Sequence, residues 1–266
     1  MNDHGLFDTH AHYDHAMFEG RGAEIVWKLF AENVINGVII PAITFESNFD
    51  RELFPEERFP EIYFAAGLHP KCATNEARWD AKKRERFEAI VDDPRTVAIK
   101  TGLDFSKKKL TEGQKAHQIM FFREMIGLAN EKQLPLVLHV RDAAPEAVQV
   151  LRETPLTVRA VAHCFTYDIG VAREMMSVGV TCFGIGGMLT REPMGALRDC
   201  VRELPLSAIL LETDCPFVKP EGFGGNVNTS ETLLGTAGLI AELKGTAVEE
   251  VVRAVQENAR AFYGIR

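Results

Sequence analysis

The chain lacks the features that mark secreted, membrane-bound or nucleic-acid-coating proteins. Its five cysteines, Cys72, Cys164, Cys182, Cys200 and Cys215, are scattered, odd in number and without Cys-x-x-Cys spacing. That pattern argues against a disulfide framework and for a reducing compartment. No apolar run approaches the ~18 residues needed to span a bilayer. The opening MNDHGLFDTH has no basic stretch followed by an apolar core, so a cytoplasmic protein is expected, with no membrane attachment and no obligate protein partner. Basic residues are outnumbered, 30 against 38 acidic ones, for a net charge of −8. This excludes gripping nucleic acid by bulk electrostatics while leaving room for a local basic cleft. No Gly-rich phosphate loop follows the first apolar run, around Ala11 to Gly20, which argues against an open doubly wound nucleotide-binding sheet. Internal repeats, low-complexity tracts and linkers are missing too. Residues 1–266 therefore read as a single domain with a sizeable core.

What is present is an alternation of short apolar runs with amphipathic segments. The runs are GLFDTHAH (5–12), GVIIPAI (37–43), IYFAAGLHP (62–70), TVAIKTGLD (96–104), LPLVLHVR (134–141), RAVAHCFT (159–166), VTCFGIGG (180–187) and AILLETDCP (208–216). Several are β-branched and nearly continuous, as strands buried on both faces of a parallel sheet must be. Helical patterns fall at Ala23–Asn36, Thr111–Gln133, Asp168–Ser177, Met194–Glu203, Ser230–Leu243 and Ala247–Phe262. Thr111-x-x-Gln114 and Thr246-x-x-Glu249 read as capping boxes. Residues 44–61 form the loosest stretch, a loop–helix excursion, and Lys107–Lys109 a solvated turn on the rim. About eight strands alternating with helices in this length predict a TIM (β/α)8 barrel.

In such a barrel, side chains at the C-terminal strand ends face the mouth where chemistry is done. His10 and His12 stand two apart on the first run, so alternation puts both on one face together with Asp8. His139 falls near the end of the fifth run, His163 of the sixth, Asp214 of the eighth and Lys100 of the fourth. A single histidine in an α/β core is commonly just a hydrogen-bonded structural group. Four at strand ends with a carboxylate suit divalent ions such as Zn²⁺, Mn²⁺ or Mg²⁺, in number enough for two. Glu212 shares the face of Asp214 and is placed to orient a ligand; a packed interior carboxylate is the plainer alternative. His69 ends a strand in a His-Pro turn and is either a turn residue or a substrate contact. Arg141 is a candidate for substrate anions, with pairing to Asp142 or a loop carbonyl the favoured structural role. Cys164 and Cys215 follow ligands directly, so alternation points them away.

Quoted in order, FDTHAHYD, GLHP, LPLVLHVRDA, HCFT, LLETDCPF and the closing ENARAFYG resemble, over nearly the whole chain, the TatD-type metal-dependent hydrolases of the amidohydrolase superfamily. The resemblance implies an amidohydrolase-like TIM barrel, a binuclear metal centre and cleavage of phosphodiester bonds in DNA. It assigns His10, His12 and Asp214 to one ion and His139 and His163 to the other. Two departures stand out. The family usually reads Gly-Glu-x-Gly-Leu-Asp at the fourth strand, its Glu bridging both ions, whereas this chain has Lys100 there. Near residue 228 the family's Arg-Asn-Glu-Pro is replaced by Val227-Asn228-Thr229-Ser230, so substrate handling beside the eighth strand is expected to differ.

An ammonium ~4 Å from a dication is repelled by roughly 8 kcal/mol at an effective dielectric of 20. That lowers its pKa by about six units, so Lys100 beside a metal is neutral. A neutral amine can take up CO₂, and related superfamily enzymes of the phosphotriesterase and dihydroorotase types carry such a carboxylated lysine as a bridge. Carboxylated Lys100, an unmodified amine beside one firmly held ion, and an ammonium paired with Glu212 or a substrate phosphate all stay open. The mechanism implied is attack by a metal-activated water whose proton passes to Asp214. His69, Arg141 and Lys71 would meet substrate anions. The substrate is expected to be nucleic acid or a small phosphoester. Lys82, Lys83, Arg84, Arg86 and Lys107–Lys109 lend it weak support, since solvated helix and turn surface explains most of them better. Hydrolysis of phosphotriesters, lactones or amides is the alternative, and a weakly catalytic barrel acting as a binding module the second alternative.

Overall fold

The computed structural model describes residues 5–74, 80–107 and 109–265. Eight parallel strands pair in the order of the sequence, β1 to β8. They are β1 (Leu6–Asp8), β2 (Ile35–Pro41), β3 (Ile62–Gly67), β4 (Thr96–Asp104), β5 (Leu136–Arg141), β6 (Ala160–His163), β7 (Cys182–Ile185) and β8 (Ile209–Leu211). Backbone bonds close the ring beyond the short ends of β1 and β8. Thr9 N donates to Leu211 O at 3.1 Å, Asp214 N to His10 O at 2.8 Å and His12 N to Cys215 O at 2.7 Å. The expected (β/α)8 barrel is the observed fold. Among the described residues, no helix is long and apolar enough to cross a membrane.

Helices follow the strands as an outer layer: α1 (Gly22–Ala31), α2 (Ala81–Val91), α3 (Glu112–Lys132), α4 (Ala144–Glu153), α5 (Ile169–Ser177), α6 (Gly195–Glu203), α7 (Leu233–Lys244) and α8 (Val248–Tyr263). The first expected helix is shorter than its pattern. Asn33 turns to a φ of 56°, and the chain enters β2 at Ile35. The Thr111 capping box forms as read, with Gln114 N donating to Thr111 Oγ1 at 3.2 Å and Thr111 N to Gln114 Oε1 at 3.0 Å. The Thr246 box does not. The cap of α8 is Ala247, one residue later, so Thr246 lies outside the helix and bonds Glu250 instead of Glu249. Helices α2 and α4 fall outside the amphipathic patterns of the sequence; α2 carries so many charges that its buried apolar face reduces to Phe87 and Val91.

The core has two shells. One apolar cluster joins Phe7, Ile39, Val137, Val161 and Leu210 from the strands to Phe262 and Tyr263 at the end of α8. A larger one fills the space between sheet and helices. Strand β4 is the longest, and all nine of its residues are buried. It therefore does not end at Lys100, as the apolar run suggested, but continues to Asp104. Gln118 of α3 fixes that end: Asp104 N donates to Gln118 Oε1 at 2.8 Å, and Gln118 Nε2 to Asp104 O at 3.2 Å. The excursion at 44–61 contains the 3-10 turn Glu46–Leu53. Its Asn48 clamps the end of β3 by bonding both Gly67 O, at 2.8 Å, and Gly67 N, at 2.9 Å. Across the sheet, Lys100 faces Gly67 and Val137, Gly102 faces His139, and His139 faces His163. Lys100 thus lies one inward step deeper than the two histidines. Gly102 holds a φ of 141°, and a Cβ there would meet His139 O at 1.9 Å, so only glycine lets β4 and β5 approach at this level.

Candidate metal centre

Four side chains from three strand ends converge on one point. The Nε2 atoms of His12, His10 and His163 lie 3.4, 3.8 and 4.0 Å from a single oxygen, Oδ1 of Asp214. These separations exceed hydrogen bonds. The His12 separation equals the spacing of about 3.4 Å between ligands that each sit ~2.1 Å from a shared tetrahedral ion, and the other two are longer. The rings of His10 and His163 stack with centroids 3.5 Å apart, and those of His10 and His12 meet edge to face at 5.1 Å. Burial lowers the pKa of every one of these imidazoles. It takes His163 down to about 3, and the neighbouring His163 and Lys100 deepen the effect at His10. At neutral pH each ring is uncharged and has a lone pair to share. His10, His163 and Asp214 bring ligand atoms within 4.8 Å of one another, a set that suits one divalent cation, and His12 approaches it through the shared Asp214 oxygen.

Tautomer control comes from Glu212. Its Oε1 accepts the Cys164 backbone N–H at 2.6 Å, so His163 Nδ1, 2.9 Å from the same oxygen, is the donor. That leaves the Nε2 lone pair of His163 facing Asp214. Gly184 makes the room: a Cβ there would lie 2.1 Å from Glu212 Oε2.

Lys100 is 1% exposed, and its Nζ lies 3.1 Å from His10 Nε2. Burial pulls its ammonium down to about 8 against the opposing influence of Asp214, Asp14 and Glu212.

The structure regroups the expected ligands. His163 joins His10 and His12 around Asp214, while His139 belongs to a second, outer group with His69 and Asp104. Asp104 Oδ2 lies 3.1 Å from His139 Nε2 and 3.2 Å from Lys71 Nζ. Its Oδ1 accepts from Ser106 Oγ at 2.5 Å. Burial alone would raise the Asp104 pKa, but the hydrogen bonds from His139 and Ser106 hold the carboxylate well below its usual range. Burial takes His139 down to about 4. His69 Nδ1 accepts from Lys71 N at 3.2 Å and so caps the turn Pro70–Cys72. Its ring centroid is 4.3 Å from that of His139. Asp104 was missed as a candidate. The signal was available, since residues 100, 102 and 104 share a strand face.

Three other expectations change. Asp8 does not share the face of His10 and His12: its carboxylate accepts from Thr213 N, Thr213 Oγ1 and Ser230 Oγ at 2.6–3.1 Å. It ties β1 to the segments after β8. Ser230 is thus a structural partner of Asp8. Cys164 adopts a φ of 47°, which breaks the alternation, and it lines a cavity instead of facing away. Among the described residues, exposed Arg141 makes no side-chain hydrogen bond or ion pair, so the favoured pairing with Asp142 is absent. Arg141 instead lines two adjoining cavities, of about 540 and 380 Å³, which also share His139, His163, Asp214 and Val218. On α2, Arg84 pairs with Glu88 and Glu124, and Arg86 lies over Phe49. Lys108 falls outside the described residues.

A family model described as TatD related DNase matches residues 7–264. The chain is 34% identical to the metal-dependent hydrolase YabD of Bacillus subtilis, covering 98% of this chain and 99% of that one. It is 29% identical to the metal-dependent hydrolase YjjV of Escherichia coli K12, covering 98% of each. The crystal structure of that TatD homologue superposes with a TM-score of 0.86 at 27% identity, again over 98% of each chain. With the barrel, the strand-end histidines and a family match running almost from end to end, this chain belongs to the TatD family of metal-dependent hydrolases.

Proposed function

We propose that the chain hydrolyses phosphodiester bonds, with DNA or a short oligonucleotide as the leading substrate. The observation that carries this reading is the position of Arg141 and Lys71. Arg141 lines both cavities and Lys71 the smaller one; both cavities reach His163 and Asp214, and the smaller also reaches His12. A phosphodiester is the ester that brings a negative charge to meet them.

A divalent ion held by these four residues would supply an acidified water and withdraw electron density from the phosphoryl oxygen. The chain's own groups do the rest. Asp214 has a second carboxylate oxygen with which to accept the proton of the attacking water. His163 is locked in one tautomer by Glu212 and so presents a fixed Nε2. His69, whose Nδ1 is occupied by Lys71 N, keeps its proton on Nε2 as a donor towards a non-bridging phosphate oxygen. Arg141 has free guanidinium N–H groups for the phosphate on either side of the scissile bond. The two cavities meeting at the site have volume for a substituent on each side of that bond.

Turnover of DNA and oligonucleotides with added Mg²⁺ or Mn²⁺, set against phosphotriester, lactone and amide panels, tests the substrate. Preference for the neutral esters would replace this reading with the alternative hydrolase. Metal binding without turnover of any panel member would leave a binding module. Replacing His10 by Ala, or Asp214 by Asn, is expected to reduce turnover by at least about 100-fold, as loss of a ligand exceeds the usual cost of losing its supporting partner. Undiminished turnover in both variants would refute the site.

A further inference from the structure

We infer that the chain holds one divalent cation, with the Lys100 side chain filling the place where a second would sit. The inference rests on the hydrolase reading above and concerns how many ions that site takes.

Geometry comes first. Lys100 lies on β4 between Gly67 and Val137, is buried at the floor of the smaller cavity, and ends 3.1 Å from His10 Nε2. That is the nitrogen which faces Asp214. A lysine carries its nitrogen one bond further from Cα than a glutamate carries its carboxylate oxygens. A strand position suited to a carboxylate beside an ion therefore puts a lysine nitrogen into the ion's own space.

Charge points the same way. Paired catalytic ions sit about 3.5–4 Å apart, and two dications repel with four times the energy of two unit charges at that distance. Such pairs need anionic ligands shared between them. An amine contributes no negative charge, and an ammonium contributes a positive one. In either form Lys100 cannot offset the repulsion, and Asp214 alone remains among the inner group.

The outer group does not offer a second ion an easier place. Asp104 is already matched by Lys71 Nζ at 3.2 Å and by the His139 ring at 3.1 Å. His69 uses Nδ1 to accept from Lys71 N, which leaves its proton on the nitrogen that would have to bind. Seating a cation there means breaking these contacts and displacing Lys71. Carboxylation would load a nitrogen that already stands in contact with His10 Nε2, one of the ligand atoms.

The test is a count of ions. Wild-type protein is equilibrated with Mn²⁺, desalted, and measured for metal content, intact mass and electron paramagnetic resonance. One ion per chain, an unmodified mass and an uncoupled Mn²⁺ spectrum are expected. Lys100→Glu is expected to raise the count to two and to give the spectrum of a coupled pair. Two ions in the wild type, or a mass gain of one CO₂, would overturn the inference while leaving the hydrolase reading intact. No ion at all would overturn both. A Lys100→Glu chain that folds but still holds one ion would show that Lys100 does not set the count. If that variant does not fold, the wild-type count decides alone.

Discussion

Burial keeps each imidazole at the barrel mouth in the form that shares a lone pair, and the same burial leaves a signature in stability. A histidine whose folded pKa lies below its unfolded value of 6.5 favours the folded state above pH 6.5. That contribution is lost as pH falls towards the folded pKa. His139, held at about 4, therefore contributes a loss that approaches 1.4 kcal/mol per pH unit below 6.5 and amounts to about 2 kcal/mol between pH 6.5 and 4.5. Asp8 works in the opposite direction. Burial raises its carboxyl to about 7, so its contribution is lost as pH rises from 3.8 to 7. A difference measurement separates the two. In metal-free buffer, the stability gap between wild type and His139→Gln, read from denaturant unfolding, should shrink by about 2 kcal/mol from pH 6.5 to 4.5. A gap that stays constant would mean that His139 is not held neutral by its surroundings.

At the scale of elements, the ends of β1, β4, β5, β6 and β8 each bring one or two groups to the mouth, and supporting residues lie on neighbouring strands. Gly184 of β7 is the clearest case, because Glu212 occupies the space its Cβ would take. Gly184→Ala is expected to push Glu212 away from His163, cost about 1–3 kcal/mol of stability and weaken metal binding 10–100-fold. Isothermal calorimetry alongside thermal unfolding checks both. Loss of stability without loss of affinity would show that Glu212 does not set the orientation of His163.

The same scale explains what the sequence disclosed. Strand-end histidines followed from the apolar runs, because a buried run must stop where polar chemistry begins. The capping box at Thr111 was visible since it needs only neighbours in the chain, whereas at Thr246 a one-residue shift in helix start moved the threonine out of register. His139 stands apart from the Asp214 group for a reason outside its own strand: its ring contacts Asp104 at the end of β4, which also pairs with Lys71 of the turn after β3. Asp8 failed because the chain leaves regular alternation between β1 and His10. No pattern within a single segment carries such cross-strand partners.

For the molecule as a whole, closing the barrel turns distant sequence positions into neighbours. His10 and Asp214 are 204 residues apart in the sequence, yet their backbones bond at 2.8 Å where β8 rejoins β1. The net charge of −8 makes the cations at the mouth a local exception and not part of a basic face. Folding and site are therefore one event: without closure, the two halves of the ligand set do not meet. The direct measurement is an anomalous difference map from crystals grown with Mn²⁺. A peak within about 2.0–2.3 Å of His10 Nε2, His12 Nε2, His163 Nε2 and Asp214 Oδ1 is predicted. A map without density among those four atoms, or with its peak elsewhere on the chain, would contradict the account.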